Sequence, residues 1–234
     1  MNSVEDSAGR PRTRANANRG RILDAAMTCF AADPDASMDD VARAAGVVRR
    51  TVYAHFPNRE ALVDGLSDEA SAALADALDH PEPDDPAVAL AVGALRTWPV
   101  GDRFRMLLSF ARKEVGDHRI AELIAPVRTR TVDVVERGRD SGLFPAYLPT
   151  AVLVGMMEGL TMSVLEQANF GLVRDDGESM ALGVLVLAGV PVDRSPDVLD
   201  DARRWVASAH GKDDRRGDPR GTEINAVKGA NAQR

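Results

Sequence analysis

The sequence predicts an all-α protein: a three-helix N-terminal unit joined by a long helix to a larger C-terminal helical domain. Three observations carry this. Apolar residues recur at the 3.6-residue period from about residue 18 to 210, and no segment shows sustained strand-type alternation. Aromatic residues make up only 4% of the 234-residue chain, whereas Ala, Leu and Val are plentiful. Residues 80–86, HPEPDDP, hold three prolines in seven positions and divide the helices into two groups.

In chain order, residues 1–17 mix Arg, Asn, Ser, Gly and Pro without apolar periodicity and are expected to form a disordered arm. A first helix follows, with Ile22, Ala26, Cys29 and Phe30 on one face, Asn18 as its cap and Asp33-Pro34 as its stop. Ser37, with Asp40 three residues on, is a capping-box signal for a short second helix whose apolar side is Met38, Val41, Ala42 and Ala45. Gly46 stands where a left-handed residue ends that helix. A third helix is expected from Arg49 to His55. Pro57-Asn58 breaks it, and Asn58 caps a long helix from Arg59 to about Leu78 with Leu62, Leu66 and Ala70 on one stripe.

Beyond the proline-rich stretch, helices are expected at about 87–98, 102–116, 119–141, 149–170, 178–189 and 196–209. The breaks are Trp98-Pro99, Gly116-Asp117, Ser141-Gly142, Gly171 and Val190-Pro191. Residues 211–234 again read as a disordered tail. The expected organisation is therefore an arm at 1–17, a head at 18–79, a body at 80–210 and a tail at 211–234.

Net charge is −7, but it is unevenly spread. Residues 1–59 hold nine Arg against seven Asp and Glu, so a mildly basic head sits on an acidic body. A local patch of this kind can meet phosphates even on an acidic chain. The early arginines, at 10, 12, 14, 19 and 21, fit either a solvated tail or an arm in a minor groove.

Cys29, the one cysteine, forms no internal disulfide and reads as a small buried hydrophobe. No apolar run resembles a signal peptide or approaches the roughly 20 residues that span a bilayer, so a cytoplasmic protein without membrane contact is expected. Nucleophile elbow, phosphate loop, dinucleotide fingerprint and zinc-protease motif are all missing, and no enzymatic activity is expected. His80, His118 and His210 are scattered, with no partner at i+3 or i+4. They read as solvated or cap-like, so no metal or cofactor is expected.

The second and third helices, separated by Gly46-Val47-Val48, have helix-turn-helix spacing. The run SMDDVARAAGVVRRTVYAHFPNREALVDGL, residues 37–66, closely resembles the DNA-binding segment of the tetracycline-repressor (TetR) family. The matching features are Ala45-Gly46-Val47, Thr51-Val52-Tyr53, His55-Phe56 and Asn58-Arg59-Glu60-Ala61-Leu62. In detail the resemblance covers roughly residues 20–66.

It implies a sequence-specific regulator, a ligand-released repressor bound as a dimer to a palindromic double-stranded operator. Thr51, Tyr53, His55 and Arg59 fall on family DNA-contact positions, with Arg49, Arg50, Ser37 and Met38 beside them. The chemistry is apt: Arg can grip guanine O6 and N7, the Thr methyl can meet thymine, and Tyr53, His55 and Arg59 can donate to phosphates. Val48 departs from the family pattern, since it cannot cap the third helix by side chain. Arg50 stands where relatives often carry a small residue or Pro, so their base preference does not transfer.

The resemblance also implies a pocket for a small effector in the body, and its apolar walls suggest a hydrophobic or amphipathic molecule. Trp98, Phe104, Met106, Leu107, Phe110, Met157 and Thr161 are the candidate lining, with Arg128 or Glu158 holding a polar end. Taken singly, each also fits an ordinary core. Gly155 and Gly159, four apart on a helix apolar over more than one face, together with Met162, are the candidate interface of a homodimer. The rival reading from another class is a helical interaction module that has lost DNA binding.

Overall fold

The computed structural model describes residues 10–114, 117–174 and 177–213, which form nine helices and no strand. The head comprises α1 (Arg10–Ala32), α2 (Met38–Ala44), α3 (Arg49–His55) and α4 (Arg59–Leu78). The body comprises α5 (Pro86–Glu114), α6 (Asp117–Asp140), α7 (Thr150–Asn169), α8 (Glu178–Leu187) and α9 (Ser195–Asp213).

Local chemistry sets the short helices of the head. Ser37 Oγ accepts from the Asp40 amide at 3.2 Å while the Asp40 carboxylate accepts from the Ser37 amide at 2.9 Å, the reciprocal box its spacing predicts. The Ser37 hydroxyl, which donates to Asp40 Oδ2 at 2.6 Å, and after it the Ser37 amide hold the Asp40 carboxyl below the usual carboxylate range. At the other end Gly46 takes φ +62°, the Val47 amide reaches back to the Ala42 carbonyl at 3.0 Å and the Gly46 amide to Arg43 at 3.2 Å. That paired closure reverses the chain in one residue and sets α3 across α2. Asn58 Oδ1 accepts from the Ala61 amide at 2.8 Å and starts α4.

Two apolar cores result. In the head, Ile22, Leu23, Phe30, Val41, Val52, Phe56, Leu62 and Leu66 are buried together. Each such side chain contributes about 1.5–3 kcal/mol on leaving water, which offsets the ordering of three short elements. The body's core is formed from α5 to α9 around Leu90, Trp98, Val135, Val154, Met157 and Leu185.

Several expectations change: α9 runs on to Asp213, into the expected tail at 211–234, and Cys29, expected buried, is half-buried. α1 begins at Arg10, so residues 10–17 of the expected arm are its first two turns, ahead of the anticipated cap Asn18. No break occurs at Trp98-Pro99: α5 runs through Pro99. Proline removes one helical bond and costs about 3 kcal/mol in an isolated helix. Here α5 is the central helix, packed by α1, α4, α6, α7, α8 and α9, and that enclosure outweighs the local penalty. His118 does have a neighbour one turn on, Glu122, at 3.2 Å. Among the described residues no helix is long and apolar enough to cross a membrane.

Candidate nucleic-acid interface and inner cavity

The exposed side of α3 gathers four of the expected contact residues. Arg49, Arg50 and Tyr53 are exposed and Thr51 is half-buried, whereas Val52 between them is fully buried in the head core. α3 thus anchors through Val52 and Phe56 and offers its opposite side to solvent. Arg49 is already positioned: its guanidinium lies 5.2 Å from the Tyr53 ring centre and 2.9 Å from Asp39 of α2. Arg49 Nη2 also donates to Tyr53 Oη at 3.4 Å, and its guanidinium is held further above the ordinary range by that bond and by Asp39. Val48, 67% exposed at the N-cap, makes no side-chain cap bond.

The other expected contacts sit differently. His55 is half-buried, its ring 6.4 Å from that of Phe56. Ser37 commits its hydroxyl to Asp40 in the cap, and Met38 packs half-buried on the head core. Arg59 faces inward: it donates to the carbonyls of Ala36 and Pro34 and lies over the Phe30 ring. The loop between α1 and α2 leaves those carbonyls without helical partners, and the Pro57-Asn58 turn directs Arg59 at them.

Arg19 and Arg21, expected in a tail or groove arm, are also used inside the head. Arg19 lies 5.5 Å from the Phe56 ring centre, and Arg21 donates to the Ala45 carbonyl at 2.7 Å, bracing the turn. The side chains of Arg10, Arg12 and Arg14 lie outside the described ones. Sequence reasoning also passed over Gly65. A β-carbon there would stand 2.6 Å from the Phe56 ring, so Gly65 is what lets α3's end seat on α4.

In the body, α4 to α8 line a mainly apolar, partly open cavity of about 140 Å³. Its walls include Trp98, Phe104, Arg128, Met157, Glu158 and Thr161, all anticipated. The side chains of Met106, Leu107 and Phe110 lie outside the described ones. Leu123, Ile124, Val127, Leu165, Met180 and Val184 complete the wall; their ordinary aliphatic character carried no signal. Arg128 and Glu158 form a two-point pair, Nε to Oε1 at 2.6 Å and Nη2 to Oε2 at 2.9 Å. Met162, expected at the dimer interface, instead lines this cavity and packs on the body core, because α7 turns that side toward α5 and α8. Gly155 and Gly159 lie on the opposite, exposed side of α7, where a β-carbon added to either would meet nothing within 4 Å.

Head and cavity share residues. Phe104 of α5 is 2% exposed, belongs to the head core and also lines the cavity; Val100 and Leu123 do both as well. Arg103 beside it bridges to Asp24 of α1 at 3.0 Å and Glu69 of α4 at 2.7 Å. At the far end of α4, Arg96 donates to the Ala77 carbonyl at 3.0 Å and Arg130 to those of Leu78 and His80, two cations on a helix C-terminus.

This is an all-helical protein with an N-terminal helix-turn-helix head and a cavity-bearing body. Residues 22–66 match the family model for bacterial regulatory proteins, tetR family. Over these residues the head is similar to the DNA-binding segment of the TetR family. It is 44% identical over 62 residues to the HTH-type transcriptional repressor LfrR of Mycolicibacterium smegmatis, covering 26% of this chain and 30% of that protein. Over 44 residues it is 52% identical to the uncharacterized HTH-type transcriptional regulator TtgW of Pseudomonas putida, covering 18% and 33%. The chain thus spans about a third of the length of the curated relatives it matches.

Solved structures share the fold over more of the chain. The LfrR structure in complex with proflavine superimposes with a TM-score of 0.55 at 23% identity, covering 76% of this chain and 98% of that one. The complex of RolR with resorcinol does so at 0.52 and 18%, covering 80% and 95%.

Proposed function

We propose that this protein is a transcriptional repressor that binds a palindromic operator as a homodimer and leaves it when a small hydrophobic or amphipathic effector fills the body cavity. The observation that carries the reading is the α3 face: Arg49, Arg50, Thr51 and Tyr53 stand on the solvent side of a helix whose other side is locked into the head core. Arg49 and Arg50 read base edges, Tyr53 and His55 meet phosphates, and the helix start enters the major groove. Arg59 supports the head from within.

A dimer is needed because two recognition helices must stand about 34 Å apart, or a multiple of it, to meet half-sites on one side of the duplex. The exposed stripe Val152, Gly155, Met156 and Gly159 of α7, with Val186 of α8, is the surface we assign to it. Four helices, two from each subunit, would close it.

Effector and operator oppose each other through α5. A molecule pressing on Phe104 pushes on a side chain of the head core, and Arg103 carries the shift to α1 and α4. By linkage the effector weakens DNA by the factor by which DNA weakens the effector, with couplings typically about 1–3 kcal/mol. The complexes of LfrR with proflavine and of RolR with resorcinol, proteins of similar fold, support a small organic effector.

The test is selection of genomic fragments by the purified protein, then anisotropy titration of the selected duplex at several salt concentrations. A palindromic site is expected, with affinity falling steeply as salt rises. Arg49→Ala should relax base choice, and Tyr53→Phe should weaken all sequences alike. Absence of enrichment even at low salt would overturn the reading and leave an interaction module.

A further inference from the structure

We infer that the cavity takes a neutral, single-ring aromatic molecule bearing a hydrogen-bond donor, a phenol or an aromatic amine; this rests on the effector reading and narrows it. Size comes first. A cavity of about 140 Å³ compares with the roughly 150 Å³ apolar cavity that holds benzene in another protein's core. The ring would lie among Trp98, Phe104, Met157 and Leu165.

The polar atoms on the wall then choose the substituent. Thr97, Thr131 and Thr161 line the cavity, and each donates its one hydroxyl proton to the carbonyl four residues back, at 2.8, 2.8 and 2.9 Å. A hydroxyl so committed can only accept. Glu158 adds carboxylate lone pairs, of which Arg128 engages one on each oxygen. Beside Arg128, which gives two of its five N–H groups to Glu158, these four side chains offer acceptors to the cavity.

Charge excludes the alternatives. A ligand carboxylate would face the threonine oxygens and Glu158, whose pairing already offsets the charge of Arg128. A ligand cation at Glu158 would stand beside the Arg128 guanidinium, like charge against like charge. Arg130, the other cation on the wall, is directed away, to the carbonyls of Leu78 and His80 and the carboxylate of Glu82. A neutral donor leaves every one of these pairs intact.

The experiment uses the full chain carrying Trp205→Phe, so that Trp98 reports the cavity by fluorescence. Phenol, aniline, toluene, benzoate and benzylammonium are titrated separately. Phenol and aniline should bind saturably, toluene about three- to tenfold more weakly, as one neutral hydrogen bond predicts, and the two ions more weakly still. Thr97→Val, Thr131→Val and Thr161→Val are then compared. At least one should bring phenol down to the level of toluene while toluene is unchanged. Toluene equal to phenol, an ion tighter than phenol, phenol preference surviving all three substitutions, or no binding by any probe would overturn the inference. Operator release is scored in parallel. Release by a molecule outside this class, with phenol inert, defeats this inference alone; cavity binding by phenol without any loss of operator affinity defeats the effector reading instead.

Discussion

The guanidinium of Arg59 lies 4.3 Å from the centre of the Phe30 ring, at the first residue of one helix and near the last turn of another. It also donates to Pro34 and Ala36, so a single side chain closes the loop between α1 and α2. Lysine can reproduce neither the fork nor the flat stack. Arg59→Lys should destabilise the head by about 1–2 kcal/mol in chemical denaturation, the sum expected of a lost hydrogen bond and a weakened cation–π contact. For Arg59→Gln, which also removes the charge, the slope of log affinity against log salt should stay as in the parent; a slope reduced by about one would mean that Arg59 neutralises a phosphate after all.

Val48 heads α3 with φ −73° and ψ 147°, the backbone of a capping residue without a capping side chain. Because Val48 is 67% exposed, replacing it removes little packing. Val48→Ser supplies an acceptor for the first-turn amides and should stabilise the head by about 1 kcal/mol, read as a raised denaturation midpoint. No gain would show that these amides are already satisfied when the head is free.

Asp39 holds Arg49 at 2.9 Å on the face we assign to DNA. Asp39→Asn frees the guanidinium and removes a negative charge facing phosphates. Operator affinity should tighten roughly threefold at low salt, the advantage shrinking as screening grows. Unchanged affinity across the salt series would place Asp39 away from the duplex.

On α7, a side chain at Gly155 or Gly159 meets open space within its own subunit. Gly155→Leu and Gly159→Leu should therefore leave the subunit folded, and even favour its helix by about 0.5–1 kcal/mol, while blocking close approach of a partner. Sedimentation should show a monomer for each variant. A dimer mass retained in both rules out this face as the interface.

His80 stands where α4 ends, its Nδ1 2.8 Å from the Pro81 carbonyl and its Nε2 buried without a partner. Burial, more than the nearby Arg130 and Arg96, lowers its imidazole from the ordinary value of 6.5, against the pull of Pro81 and Glu82. The folded state then binds this proton less readily than the unfolded chain. Its contribution to stability is full above about pH 6.5 and is lost as pH falls below that value toward the lower folded one. His80→Gln should flatten the fall in thermal midpoint between about pH 7 and pH 5, the range around the ordinary histidine value; an unaltered profile would assign the acid sensitivity to other groups.

Signals acting within four residues were legible before any fold was known. The Ser37–Asp40 box, the left-handed Gly46 and the Asn58 cap set the limits of α2, α3 and the start of α4, because each satisfies backbone groups from its own neighbourhood. The resemblance over residues 20–66 marked Arg49, Arg50, Thr51 and Tyr53, and an amphipathic third helix, with Val52 inward, accounts for the exposure of Arg49, Arg50 and Tyr53 and the half-burial of Thr51. In the body, Trp98, Phe104, Met157 and Thr161 stood out as large or polar members of an apolar pattern, and they do meet at one cavity.

By itself, then, the sequence determined the all-helical class, the helix-turn-helix and the residues on its outer face. Tertiary structure decided what depends on distant partners. Pro99 sits inside a helix because that helix packs against six others, and Arg19, Arg21 and Arg59 turn inward because carbonyls and rings from elsewhere in the head await them. Met162 faces the cavity and Gly155 the outside because α7 is apolar over more than one face, and its packing against α5 and α8 chooses which side is buried. Hydrogen-bond chemistry along a helix is local and can be read from order alone, whereas the direction a side chain faces is a property of the surfaces that meet it.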